Sequence, residues 1–392
     1  MHARRYTIIV LSLVSALAVT AGAFNLSVDP YQLWRNGGHI GFVGDDLGRL
    51  TKAHWIDGYG ADLVVLGNSH ARGGFSERSF LDRGLAERPF NGALPAGQIY
   101  ELRRYFQHYA ELSELRSALV VIDILNFLDT PPVGGAFDER RLAVTPDGQP
   151  NPKWWVSALV LTNLTGAGLQ ASFGALFNKK RAEPLFNGFR DCTPEATPNR
   201  PKRAVAFLGA NYERFLSGAY LDEAQEFDWR KELAAMFEEA RRRDIRLYVV
   251  IPPAHATYYI ELEAAGYWPA YLSIVEEAVR IAERTGGNIE IYDFTGFTEV
   301  QTEPLRKGRP LTYWRDTNHF SCHTGDLIVA LLSGQPAAAA DFGRRVTMDN
   351  LPAHFDRIEA EKRAWQADER AAYCGYLDMM PAAIREKVPG GC

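Results

Sequence analysis

The chain has 392 residues, 46% of them apolar and 23% charged, and a net charge of -5. Such a composition excludes a disordered polyelectrolyte and calls for a packed core, as one large domain with an insertion or as two domains. No run of like charge is long enough to mark a nucleic-acid partner or a polyanion-binding tail.

The N-terminus carries the first positional signal. His2, Arg4 and Arg5 precede an uncharged run from Tyr6 to Asn25, with TIIVLSLVSALAVTAGAF at its centre. An 18-residue helix spans roughly 27 Å, just enough for a bilayer core. The positive flank on the N-terminal side implies export of the remainder. Ala21-Gly22-Ala23 resembles a small-residue cleavage site, so a removed signal peptide is the rival reading. A retained anchor is favoured, because the run exceeds a usual signal core and Asp29-Pro30-Tyr31 follows with little linker. The four cysteines, Cys192, Cys322, Cys374 and Cys392, lack metal-ligand spacing, so zinc is not expected. An oxidising compartment would allow one or two disulfides; four free thiols are the alternative.

The rest of the chain divides as 26–60, a connecting segment; 61–335, the main domain with an insertion at about 130–225; and 336–392, a helical tail. Residues 61–66, ADLVVL, form a short apolar run that stops at Gly67-Asn68-Ser69-His70, as a buried parallel strand does. A helix is expected over about 76–84, a weak strand over Pro89 to Asn91, and an amphipathic helix from Gly97 to Glu114. The third strand is Ala118 to Leu125. The insertion is rich in Pro, Gly and Asn and contains Trp154-Trp155 and the apolar stretch VSALVLTNL, which is too short to span a membrane. The two tryptophans are read as packing residues, with stacking on sugar rings as the alternative. Strand and helix alternate again from Asp228. A helix ends in Arg241-Arg242-Arg243, read as a solvated end suited to its dipole. Next come a strand at Ile245 to Ile251, a helix at Tyr267 to Arg284, a strand at Ile289 to Phe294, and a helix from His323 to Leu332. A surface helix and tail follow from Asn350. This rhythm predicts an α/β fold with a doubly wound parallel sheet of about five strands.

In such sheets functional residues gather at the carboxyl ends of strands. Ser69 lies there. A serine needs a base to become a nucleophile, and that base needs a carboxylate to orient it. Asp316 and His319, three residues apart after the last strand, supply the pair. His70 is the rival base and a candidate substrate contact. His255, after Ile251-Pro252-Pro253, is a candidate contact or a structural residue. Acyl chemistry also needs oxyanion donors. The candidates are the Ser69 N–H, the Gly97 N–H and the Asn126 side chain, with Gly92 and Asp123 competing for the last two roles.

Together, Gly67-Asn68-Ser69-His70, Gly97, Asn126 and Asp316-Thr317-Asn318-His319 resemble the four motif blocks of the SGNH (GDSL-like) hydrolase superfamily. Asn68 stands where an aspartate is usual, and Ile124-Leu125-Asn126-Phe127 replaces the usual Gly-x-Asn-Asp. Joined to an N-terminal anchor, the pattern is similar to exported bacterial proteins of alginate acetylation and teichoic-acid D-alanylation. The resemblance implies a periplasmic domain on a single-pass inner-membrane anchor. It also implies O-acyl transfer to a surface glycan, with a multispanning membrane acyltransferase as partner and no cofactor. A carbohydrate esterase or lipase, and a noncatalytic glycan-binding protein, are the alternatives.

Overall fold

The computed structural model describes residues 2–34, 48–127, 133–134, 137–177, 187–190, 192, 228–305, 311–335, 339 and 341–388. Most of the insertion beyond residue 177, and Cys392, lie outside the described residues. The protein is an α/β fold around a mixed six-stranded sheet. The strands are β1 (Leu63–Leu66), β2 (Pro89–Asn91), β3 (Ser117–Val121), β4 (Arg246–Ile251), β5 (Ile289–Asp293) and β6 (Arg344–Val346). They lie side by side as β2-β1-β3-β4-β5-β6, the first five parallel and β6 antiparallel at the edge.

Side-chain alternation divides the core in two. Val64 and Leu66 of β1, with Ala118 and Val120 of β3, face a large cluster that includes α5 (Ile99–Leu112), the helix Trp229–Arg242 and the helix Trp268–Thr285. Leu63 and Val65, with Leu119 and Val121, face a second cluster with α3 (Ser69–Gly74), α4 (Glu77–Asp82) and the helix Cys322–Leu332. The central strands are therefore buried on both faces, which is why they read as unbroken apolar runs. The chain leaves β1 for β2 on one side and returns to β3 on the other. Such a reversal marks the carboxyl ends of β1 and β3 as the place where sheets of this kind carry their sites.

Two expectations change. The third strand ends at Val121, and Ile124–Phe127 forms a 3₁₀ turn. Its Asn126 Oδ1 accepts from the Asp123 N–H at 2.7 Å, which closes the turn. The 336–392 segment supplies the sheet edge β6 and is not a mere surface tail. Its helices Leu351–Asp368 and Arg370–Met379 bury Ile358, Trp365, Tyr373 and Leu377 in the main core. His354, on the first of these helices, bonds Asp293 Oδ2 at the end of β5 at 2.8 Å. Trp154 packs as expected, between His54 and His108, whereas Trp155 is half exposed. The Arg241 to Arg243 triplet is a helix end. Its side chains pair with Glu238, Glu239 and Glu111.

The N-terminal helix α1 (His2–Val28) is long and apolar enough to cross a membrane. Ala3 to Thr20 are exposed, but Gly22, Asn25 and Val28 are buried against the rest of the protein. Its last two turns therefore belong to the folded body.

Candidate active site

Gly67 ends β1 with φ at +146°, and a Cβ there would lie 2.8 Å from Ala71 Cβ and 2.9 Å from Val121 O. Only glycine suits both the conformation and the closeness. The turn lets Asn68 cap the short helix α3, its Oδ1 accepting from the His70 N–H at 3.0 Å. Ser69 is then the first helical residue, where a backbone N–H has no intrahelical acceptor.

The Asn68 side chain also explains its own identity. Its Nδ2 donates to both oxygens of Asp123, at 3.1 and 3.2 Å. Asp123 is buried and accepts a further bond from the Leu125 N–H at 2.8 Å. An aspartate at 68 would set two buried carboxylates against each other, which low dielectric makes costly. The amide joins the β1 and β3 ends instead.

His319 arrives from the far side of the sheet, on the loop before the helix Cys322–Leu332. Three glycines allow the approach. A Cβ on Gly73 would strike the Arg315 guanidinium, one on Gly74 would lie 2.0 Å from the Phe320 ring, and one on Gly325 would lie 1.9 Å from Gly74 O. Backbone therefore meets backbone between α3 and this helix. A disulfide links Cys322 to Cys192 of the insertion, with 6.0 Å between their Cα atoms. Cys374 is disulfide-bonded as well.

Within this frame, Ser69 Oγ lies 2.8 Å from His319 Nε2. On the other side of the ring, His319 Nδ1 is 2.9 Å from Asp316 Oδ1 and 3.1 Å from Oδ2. Asp316 Oδ1 also accepts the His319 and Asn318 N–H groups, at 2.8 and 3.0 Å. Burial alone would raise the Asp316 pKa. The His319 ring, by hydrogen bond and charge, and the two backbone N–H groups overcome this and hold the carboxyl below its usual range. Asp316 is thus fixed as a carboxylate that orients the imidazole, and the imidazole faces a hydroxyl. The arrangement can remove the Ser69 proton.

No family model matches this chain, and no curated protein matches its sequence.

The remaining candidates separate. Gly97 packs onto the turn that carries Ser69, where a Cβ would lie 3.0 Å from Gly67 O. Asn126 Nδ2 donates to Gly97 O at 2.7 Å, so one of its two amide hydrogens ties the β3 end to the glycine loop. That loop is also gripped from α2 (Gly48–Trp55). Lys52 Nζ donates to Ala93 O at 2.8 Å and Arg49 Nη1 to Pro95 O at 3.0 Å. Arg49 also pairs with buried Glu101, which closes the capping box of α5. The Gly92 N–H is bonded to Val65 O at 2.8 Å, and Asp123 is an acceptor, so neither competes as an oxyanion donor.

His70 is no substrate contact, and of the two readings of His255 the structural one holds. His70 is 2% exposed, with its ring 5.1 Å from that of His319 and its Nε2 3.4 Å from Asp123 Oδ2. It backs the triad from the interior and offers no surface to a substrate. His255 is fully buried. It caps the helix Ala256–Ala264, with Nδ1 2.9 Å from Thr257 Oγ1 and Nε2 2.9 Å from Glu303 O. Both its nitrogens serve the fold. Among the described residues no group of His, Cys, Asp and Glu is arranged to hold a metal ion.

No local pattern marks Gly325, yet its contact with Gly74 O is the tightest backbone approach beside the site. Gly325→Ala is expected to force the helix Cys322–Leu332 away from α3, at roughly 1–3 kcal/mol for overpacking. A displacement near 1 Å between base and nucleophile costs about 100-fold in rate. Gly375, with open space around its would-be Cβ, is the control. Thermal unfolding and turnover of an activated ester should both fall for Gly325→Ala and not for Gly375→Ala. Unchanged turnover in Gly325→Ala would mean that the helix contact does not set the geometry.

Proposed function

We propose that the protein is an extracytoplasmic serine acyl-transfer enzyme that places an O-acyl group on a cell-surface glycan through an acyl-Ser69 intermediate. The observation that carries the reading is the 2.8 Å contact from Ser69 Oγ to His319 Nε2, with Asp316 behind the ring. The resemblance of the motif blocks to SGNH hydrolases supports the reaction class. The apolar helix α1 supports a membrane anchor, and the Cys192–Cys322 bridge supports an oxidising compartment.

His319 Nε2 takes the Ser69 proton as Oγ attacks the acyl carbonyl. The tetrahedral oxyanion is met by the Ser69 and Gly97 N–H groups and the second amide hydrogen of Asn126. The intermediate collapses to acyl-serine, and the donor's alkoxide leaves with the proton held by His319. A sugar hydroxyl then gives its proton to His319 and attacks the acyl-serine; the second tetrahedral intermediate breaks its bond to Oγ, which takes that proton back from His319 and restores Ser69. Water in place of the sugar gives an esterase. In the transfer reading, a multispanning membrane acyltransferase supplies the acyl group from across the bilayer.

The test is intact-protein mass after incubation with an activated acetyl ester. An acetyl adduct on Ser69, absent from Ser69→Ala, is expected. Product analysis with and without a glycan acceptor then distinguishes transfer from hydrolysis. No adduct and no turnover would leave a glycan-binding protein.

A further inference from the structure

The insertion contains a helical hairpin that neither the triad nor the sheet uses. Its arms are α6 (Trp154–Asn163) and α7 (Gly166–Phe177). From Trp154 to Phe177 the chain carries no Asp, Glu, Lys, Arg or His, and in the sequence Lys153 precedes it and Lys179-Lys180-Arg181 follows. Trp155, Val160, Leu164, Phe173, Leu176 and Phe177 are exposed, the last at 81%. Helices that are apolar all round belong in an apolar surround.

The place of the hairpin says which surround. It packs on the buried end of α1. Phe24 and Phe173 have ring centroids 5.1 Å apart, and a Cβ on Gly22 would lie 2.6 Å from Leu164. The polar groups at this contact satisfy one another. Asn25 Nδ2 donates to Asn163 O at 2.7 Å, and Ser172 Oγ donates to Asn25 Oδ1 at 2.8 Å. Small residues at the contact and polar groups bonded across it are how helices associate in lipid. The exposed apolar residues of α1, from Tyr6 to Val19, lead directly into the Gly22 to Asn25 segment on which the hairpin, with its own exposed apolar residues, packs.

We infer that the α6–α7 hairpin is a second membrane contact, inserted into the leaflet from which α1 emerges and holding the catalytic body rigidly at the lipid surface. The inference rests on the reading of α1 as a retained anchor. Ten residues of α6 make about 15 Å, half of a hydrocarbon core, so the hairpin enters one leaflet and does not cross. Its turn is closed by local bonds, Leu164 N–H to Val160 O at 3.0 Å and Gly168 N–H to Thr165 Oγ1 at 3.1 Å, and Asn163 O is met by Asn25, which suits a polar backbone to lipid. Lys153, exposed at the start of the hairpin, suits the headgroup level. Through Trp154, packed on His54 of α2, the hairpin reaches the helix whose Arg49 and Lys52 hold the glycine loop of the site. A substrate delivered at the lipid surface would therefore meet a site of fixed height and orientation.

The test uses the full chain in phosphatidylcholine–phosphatidylglycerol vesicles. An environment-sensitive fluorophore is placed singly by Val160→Cys, Phe177→Cys, Leu13→Cys or Asp349→Cys, under conditions that keep the native disulfides. Near-ultraviolet circular dichroism confirms the fold of each labelled protein. Labels at 160 and 177 should show blue-shifted emission and quenching by spin-labelled lipid, as at 13, while the label at 349 stays in water. Water-like emission at 160 and 177 with lipid contact at 13 would overturn the inference and spare the anchor. Labels at 160 and 177 shielded from aqueous and lipid quenchers alike would mean that protein covers the hairpin, which also overturns it. Water-like emission at 13 would remove the anchor and the inference together. None of these outcomes bears on the acyl adduct at Ser69, so failure of the chemistry and failure of the membrane contact are told apart.

Discussion

Ser69→Ala is expected to abolish turnover of an activated ester, a loss on the order of 10⁴- to 10⁶-fold in kcat, with the fold intact. Ser69 is only partly buried and sits at the start of a helix capped by Asn68, so losing its hydroxyl removes little packing. His319→Ala should be as severe, because the hydroxyl at 2.8 Å then has no base. The two act as one unit, so the double variant should be little worse than either single one. Asp316→Asn should cost about four orders of magnitude by presenting an amide to Nδ1 and disturbing the tautomer. Losses that multiply in the double variant, or turnover that survives Ser69→Ala, would remove Ser69 from the chemistry. Steady-state kinetics on purified variants, each checked by thermal unfolding, gives the answer.

The parts of this site legible in the sequence were those fixed by local pattern. An apolar run ending in Gly67-Asn68-Ser69 announces a strand and its carboxyl-end turn, and Asp316 and His319 are close enough in sequence to bond within one loop. What brings them to Ser69 is not local. The Gly74–Gly325 contact joins residues 251 positions apart, and a glycine in a helical pattern looks the same whether its Cβ would strike a carbonyl or open space. The Asn68–Asp123 bond was hidden for a related reason. A carboxylate after a strand suggests chemistry, and only its buried amide partner reveals a brace. Strand β6 has only three residues, Arg344–Val346, two of them exposed and basic, so no periodicity marks it. It exists because β5 offers an open edge. The burial of the C-terminal helices was obscured by their charge. Only one stripe of Leu351–Asp368, with Ile358 and Trp365, faces the core.

Acid should unfold the protein well above the pH at which carboxylates titrate. Burial, as the largest cause in each case, lowers His54, His108 and His255 to about 4 and His70 to about 3. The local bonding shows why protonation is resisted. His108 Nδ1 accepts the Ala143 N–H at 2.8 Å, and His255 Nδ1 accepts the Thr257 N–H that its cap requires, so a proton on either nitrogen meets another donor. His54 lies between the Trp34 and Trp154 rings. His70 has Asp123 on one side, but a charge on it would also face the His319 ring. With folded values below the unfolded value of about 6.5, the unfolded chain binds more protons in between. The stability these residues contribute is thus complete above about pH 6.5 and is lost as pH falls toward 4. At pH 5 each costs roughly 2 kcal/mol, and the four together on the order of 8 kcal/mol. That matches a typical total stability of about 5–15 kcal/mol. Asp316, held below its usual range, acts in a separate window. Its contribution is present above the unfolded carboxyl value of about 3.9 and is lost only as pH drops through the lower folded one. Urea unfolding of the full chain in detergent, followed by tryptophan fluorescence from pH 7.5 to 5, should show a steep loss of stability. His255→Asn keeps a capping oxygen and should reduce the slope by about one proton. A flat stability between pH 7 and 5 would mean that these rings reach water, or find acceptors, in the folded protein.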